Sequence, residues 1–344
     1  MAARWFLPQG FSLAVRKDEF LTLPVPELPR VRYVGRGYYT SAYYVVEPTR
    51  ASELETAPAP ETPEEFDPEL EPDYFLEHGY PEPESAAGQK EPEEHRTIVL
   101  CHGLAASGLQ FVLDAHFFAE RGFRVIVPDL RGHGRSKMPD QSLRSEDDFT
   151  IKMMADDLVA ILDKEGVRST HWVGNSLGGI LALSLMGSHA TRLRDVVTFG
   201  TSFSFDVPRY YFTLLQFASK LVSRENHARL GARLTTVRPE AQAIVYRMIL
   251  KTDPEIMFTI ARHLSRYDLI EHARTFDGAM LMLRGDKDIL VNQALSKTLS
   301  AMREHDLFFL KDISNAGHCA NLDQPEVVRD EILGFVSGSW IFDE

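Results

Sequence analysis

The sequence predicts an α/β protein with a mostly parallel central sheet flanked by helices and an inserted helical cap. Three observations predict it. After residue 95, short apolar runs ending in glycine or polar loops alternate with segments of helical period. From about 202 to 275 the strand signal gives way to helical, aromatic-rich sequence, and the alternation then resumes. A length of 344 residues suffices for one large α/β domain with an insertion, or for two domains.

The first strands are read at 31 to 47, "VRYVGRGYYTSAYYVVE", where Tyr and Val surround Gly35 and Gly37. This composition indicates a hairpin or two successive strands at a sheet edge. The stretch before it, "MAARWFLPQGFSLAVRK", is interrupted by Pro8 and Gly10 and lacks the basic leader, apolar run and small-residue cleavage site of a secretory signal. Residues 51 to 95 hold eight prolines and 15 Asp and Glu, with Lys90 as their one Lys or Arg. So few large apolar groups cannot offset the entropy of ordering, and a disordered excursion is expected. Its aromatics, in "EFDPEL" and "PDYFLEHGY", keep a partner-binding role open beside that of a solvated linker.

The regular part follows. "TIVLCHG" is a strand closed by glycine, "LQFVLDAHFFAERG" a helix stopped by Gly122, and "FRVIVPDLRGHG" a strand with a glycine-rich loop. Residues 150 to 165 place Ile151, Met154, Leu158, Ile161 and Leu162 on one helical face, with Thr150 as cap and Gly166 as stop. "THWVG" is the next strand. "SLGGILALSLMGS" is a nearly all-apolar helix that must be buried on most sides, and "LRDVVTFG" is the strand after it. Beyond the aromatic segment come the strand "GAMLMLRGD", a helix near 292 to 303, the strand "HDLFFLKD" and a closing helix at about 325 to 337. The expected organisation is core strands in 1–50, the acidic excursion in 51–95, core in 96–201, a helical cap in 202–275 and core again in 276–344.

Charge narrows the function classes. The net charge of -13 is concentrated in residues 51 to 95, which carry -14 and leave the rest near +1. A nearly neutral body has no basic footprint for nucleic acid or anionic lipid. No stretch reaches the roughly 18 apolar residues of a membrane span. The two cysteines, Cys101 and Cys319, are far apart and outside any metal-ligand spacing, which suits a reducing compartment and a cytoplasmic location.

The motif with chemistry is "HWVGNSLGGI", in which Gly174, Ser176 and Gly178 form G-x-S-x-G between a strand and a helix. Such a turn needs small residues on both sides of the serine, and the following helix aims its first amides toward developing negative charge. Alone, the pattern also suits a tight turn whose serine caps a helix. A nucleophilic serine needs a base and a group to orient that base, here following in chain order, acid before histidine. "MLMLRGDKDILV" supplies Asp286 and Asp288 at a strand end, and "ISNAGHCAN" supplies His318 in a loop after the next strand. Loops beyond the carboxyl ends of parallel strands are where open α/β sheets assemble their sites.

With "HG" at 102–103, "PDLRGHGRS" at 128–136, "GNSLGG", "RGDKD" and "AGH" in this order, the chain from about 96 to 340 resembles the α/β-hydrolase fold family. The resemblance implies a triad of Ser176, His318 and Asp288, the last residue of a G-x-x-D pattern, with Asp286 shaping the loop. It implies an oxyanion hole made by the backbone amides of Leu104 and Leu177, whose side chains only pack. His102 and His133 are then loop-shaping residues, Asp129 a loop brace, and Cys101 and Cys319 small buried residues. Most cap aromatics are core, but Phe203, Tyr210, Tyr211 and Phe258 are expected to line the acyl or alcohol pocket.

The activity so implied is hydrolysis of a carboxylic ester, thioester or lactone of a medium-sized apolar substrate, without metal or organic cofactor. Serine at the elbow argues against haloalkane dehalogenases and epoxide hydrolases, which use aspartate there. Carbon-carbon bond hydrolases, enol-lactonases and cofactor-free haloperoxidase-like members share the serine. An acyltransferase, or a ligand receptor without turnover, are the further alternatives. The oligomeric state has no signal in the sequence.

Overall fold

Strands β1 (Val31–Arg36) and β2 (Tyr39–Val46) turn back on each other through Gly37, whose φ of 62° suits glycine. The computed structural model describes residues 29–49 and 96–340; the N-terminal stretch and the expected acidic excursion at 51–95 lie outside the described residues. β3 (Thr97–Cys101), α1 (Val112–Ala119), β4 (Arg124–Pro128), α2 (Ile151–Lys164), β5 (Thr170–Asn175), α3 (Leu177–His189) and β6 (Leu193–Phe199) follow in strict alternation. Between β6 and the next core strand run β7 (Ser204–Asp206), α4 (Tyr210–Ser219), α5 (Arg224–Thr235), α6 (Pro239–Lys251), α7 (Pro254–His263) and β8 (Arg266–Asp268). The chain returns through α8 (Ile270–Arg274), β9 (Met280–Gly285), α9 (Leu295–Met302), β10 (Phe308–Ile313), α10 (Ala320–Asp323) and α11 (Pro325–Val336).

One eight-stranded sheet results, in the order β1-β2-β4-β3-β5-β6-β9-β10. β2 is antiparallel to both its neighbours, and the strands from β4 to β10 are parallel. Period-two alternation sorts the side chains. Ile98 and Leu100 of β3 join a core layer with Phe118 and Ile332 on the face of α1 and α11, whereas Val99 and Cys101 join Leu158 and Leu181 on the face of α2 and α3. Because both faces are covered, all five residues of β3 are buried, which is why the parallel strands read as unbroken apolar runs.

Helix ends follow their local chemistry. Thr150 accepts a hydrogen bond from the Met153 amide at the start of α2, and Gly166 closes its end at a φ of 66°. Met154, Leu158, Ile161 and Leu162 form the buried face. Each such side chain contributes about 1.5–3 kcal/mol relative to an exposed one.

The inserted segment is not purely helical. Its three-residue strands β7 and β8 pair antiparallel, with Phe205 stacked on Tyr267 at 6.4 Å. Strands this short show no alternation for a sequence reading to detect. Among the described residues no helix is long and apolar enough to cross a membrane.

Candidate active site

Between the last residue of β5 and the first of α3 stands Ser176 alone, at φ 51° and ψ -112°. A non-glycine residue in such a sparsely populated region costs about 1–3 kcal/mol and persists only where its surroundings hold it. Here they do. The Ser176 amide donates to the Phe199 carbonyl at 2.9 Å, and its own carbonyl accepts from the amides of Gly179 and Ile180, both at 3.0 Å, and from Thr201 Oγ1 at 3.2 Å. The flanking glycines are needed for close approach. A Cβ on Gly174 would stand 2.4 Å from the Gly179 nitrogen, and one on Gly178 only 2.1 Å from the Cys101 carbonyl oxygen.

The loop after β3 packs against this turn: a Cβ on Gly103 would lie 3.3 Å from that of Ser176. Two buried histidines shape it. His102 directs Nδ1 at the Gly103 carbonyl (2.7 Å) and accepts the Leu130 amide on Nε2 (3.0 Å). His133 directs Nδ1 at the Arg131 carbonyl (3.0 Å) and accepts the Ala105 amide on Nε2 (3.0 Å). A ring nitrogen that accepts from an amide and another that faces a carbonyl require the neutral Nδ1–H tautomer in both cases. Burial enforces the same state, lowering His102 to about 4 and, with the neighbouring His102 ring adding to it, His133 to about 3. Half-buried Leu104 is thus held between Gly103 and Ala105, both bonded to these rings. Asp129 braces the second loop by accepting from the amides of Gly108 (2.7 Å) and Arg135 (2.8 Å).

On the loops after β9 and β10, His318 Nδ1 donates to Asp288 Oδ2 at 2.9 Å. Asp288 is 2% exposed, and its Oδ1 accepts from the amides of Leu290 and Val291 at 2.9 and 3.1 Å. Burial by itself would raise this carboxyl, but the facing imidazole and the two amides outweigh it and hold the group below the usual carboxylate range. Asp286 is exposed; it accepts from the Ala316 amide at 3.2 Å and pairs with Lys287.

Asn175, the residue before the serine, joins the elbow to the histidine loop. Its Nδ2 donates to the carbonyls of His318 (2.8 Å) and Phe199 (3.1 Å), and its Oδ1 accepts from Gln110 Nε2 at 3.0 Å. Gln110 continues to Asn321 Oδ1 at 3.2 Å, and Asn321 to Asp114, which Arg329 holds at 2.6 Å. The contact is tight. A Cβ on Gly200 would lie 2.9 Å from His318 Nδ1 and 3.0 Å from Asn175 Nδ2. Sequence reasoning missed Asn175, Gln110 and Asn321; the last two show only as polar side chains between apolar neighbours, which says nothing of a distant partner, and Asn175 carries no such signal.

The sheet order, with its antiparallel second strand and sites at the carboxyl ends of the parallel ones, agrees with a family model for the alpha/beta hydrolase fold that matches residues 96–237. The chain has the α/β-hydrolase fold. It is 27% identical over 258 residues to a putative carbamate hydrolase, RutD, of Caulobacter sp. (strain K31), covering 71% of the present chain and 92% of the other. In structure it is similar to the enol-lactonase from Burkholderia xenovorans LB400 (TM-score 0.67, 16% identity, 89% of this chain and 100% of that one). It is also similar to a thermophilic esterase from Thermogutta terrifontis (TM-score 0.66, 19% identity, 90% and 99%).

The four aromatics expected to line a pocket lie in three settings. Phe203 is 1% exposed and packs edge-on against Phe308 at the amino end of β10, within the core. The reason is its hold beside β6, where its amide donates to Thr298 Oγ1 at 2.9 Å. Phe258 is buried within the insertion and stacks on His227, with ring centroids 6.1 Å apart. Tyr210 and Tyr211 stack on each other at 4.7 Å, with Tyr210 largely exposed. The Leu177 side chain is fully buried, and burial pushes the thiols of Cys101 and Cys319 up.

Proposed function

We propose that this protein is a serine hydrolase that cleaves a carboxylic ester, thioester or lactone through an acyl-enzyme on Ser176. The observation that carries the reading is the His318–Asp288 contact, on a loop that Asn175 ties to the strained turn bearing Ser176. In this reading His318 Nε2 takes the hydroxyl proton as Ser176 attacks the carbonyl carbon, and returns it to the leaving alkoxide or thiolate. Asp288, kept ionised, fixes the Nδ1–H tautomer and stabilises the imidazolium. The amides of Leu104 and Leu177 receive the oxyanion, a donor set in which each member is worth about 10²–10³ in rate. Water, activated by the same imidazole, then releases the acid.

The similarity to an enol-lactonase and an esterase supports this substrate class. A second reading, a carbamate as substrate, is favoured by the similarity to the Caulobacter protein and uses the same attack on a carbonyl. Ser176→Ala should abolish p-nitrophenyl butyrate hydrolysis and labelling by a fluorophosphonate probe while leaving the circular dichroism spectrum unchanged. Retained turnover would reject the assignment. A panel of acyl chain lengths, lactones and carbamates ranks the substrate classes, and an added acceptor alcohol exposes any acyl transfer.

A further inference from the structure

The backbone on either side of His318 is tied to the turn between α5 and α6. The Cys319 amide donates to the Thr235 carbonyl at 3.0 Å, and the Gly317 amide donates to Asp323 Oδ2 at 2.8 Å. The other oxygen of Asp323 accepts from the amides of Val237 (2.9 Å) and Arg238 (3.0 Å), just before α6 begins. Asp323 is fully buried. A Cβ on Gly317 would stand 2.8 Å from the Thr235 oxygen and 3.1 Å from Asp323 Oδ2, so loop and turn are in direct contact. Above them, Ala228 and Ala232 of α5 and Tyr246 of α6 share one apolar cluster with Cys319 and with Ala106 of the loop after β3.

The two amides of the helix start both bond Oδ1, and Oδ2 takes the Gly317 amide, so a single buried side chain joins the start of α6 to the residue beside His318. We propose that Asp323 is a positioning residue for His318, through which the α5–α6 hairpin sets the place of the imidazole relative to Ser176. The inference rests on the serine-hydrolase reading above. Bonds from buried amides to a carboxylate are charge-assisted and stronger than neutral ones, so displacement of the hairpin is passed to the histidine loop instead of being absorbed. A misplacement of about 1 Å at a reacting group costs about a hundredfold in rate.

Asp323→Asn keeps the shape and one carbonyl oxygen, but its amide group must oppose an N–H donor, either that of Gly317 or those of Val237 and Arg238. One link is broken whichever way it turns. For p-nitrophenyl butyrate, kcat is expected to fall about ten- to a hundredfold with KM within about twofold. In a His318→Ala background the same change should cost nothing further, because the group it positions is gone. A change in KM alone, or an equal loss on top of His318→Ala, overturns the proposal. Arg238→Pro supplies a second route should Asp323→Asn fail to fold. Arg238 already has φ -82° and ψ 138°, close to what proline adopts, and the change removes from Asp323 one amide and the 3.4 Å bond of Arg238 Nη1 to its carbonyl while leaving the Gly317 amide in place. Its kcat should fall several-fold; an unchanged kcat overturns the proposal. If Ser176→Ala and His318→Ala keep wild-type activity, the hydrolase reading itself has failed. If they lose it while Asp323→Asn and Arg238→Pro do not, only the positioning role has failed.

Discussion

Two carboxylates two positions apart, Asp286 and Asp288, show how far burial separates identical chemistry. Asp288 points inward to His318 and two amides; Asp286 lies in solvent beside Lys287. An ionised, buried acceptor is what orients an imidazole, whereas a solvated one is screened. Asp288→Asn is therefore expected to lower kcat by about 10⁴, since an amide can donate to Nδ1 and favour the wrong tautomer. Asp286→Asn should change it by less than about threefold, because the amide oxygen still accepts from Ala316 and the pair to Lys287 is exposed. Steady-state kinetics on the two variants decide the matter, and the reverse ranking would show that the carboxylates have been assigned the wrong way round.

At the scale of elements, the loops after β3 and β4 are locked together by His102 and His133 as neutral rings, 5.2 Å apart. Both fold with pKa values below the ordinary 6.5, at about 4 and about 3. The unfolded chain therefore binds more protons than the folded one once pH drops below 6.5. The stability these rings contribute is present in full above that value and is lost as pH falls from 6.5 toward 4 and 3, at about 1.4 kcal/mol per pH unit for each ring. His133→Gln should flatten the fall in urea-unfolding free energy between pH 7 and pH 5 by about 2 kcal/mol. An unchanged slope would show that the ring is not held neutral. These elements were largely legible beforehand, because caps, stops and apolar periods act over three or four residues. Thr150, Gly166 and the strand–turn–helix around Ser176 are examples. The β7–β8 pair was not, since its strands hold one another across the whole insertion.

For the molecule as a whole, the described residues that flank the acidic segment lie away from the candidate site. The acidic segment leaves after Thr49, whose amide donates to the Ala119 carbonyl, and rejoins at Arg96, whose carbonyl accepts from the Arg124 amide. Both attachment points sit at the amino ends of β3 and β4, opposite the loops that carry Leu104, Ser176, Asp288 and His318. Deleting residues 51–94 removes -14 of charge and should leave kcat/KM for p-nitrophenyl butyrate within about twofold while raising the isoelectric point in a focusing gel. A large loss of activity would mean that the segment reaches the site. The order of motifs along the chain, the alternation that makes a parallel sheet and the glycines around Ser176 were determined by the sequence itself, because each depends on neighbours a few residues away. The tertiary structure alone decided that Phe203 packs into the core, that Asn175 reaches the carbonyl of His318 143 positions on, and that Asp323 holds Val237 and Arg238 85 positions or more before it. Such partners meet only after the sheet has ordered its strands, and no local propensity encodes that meeting.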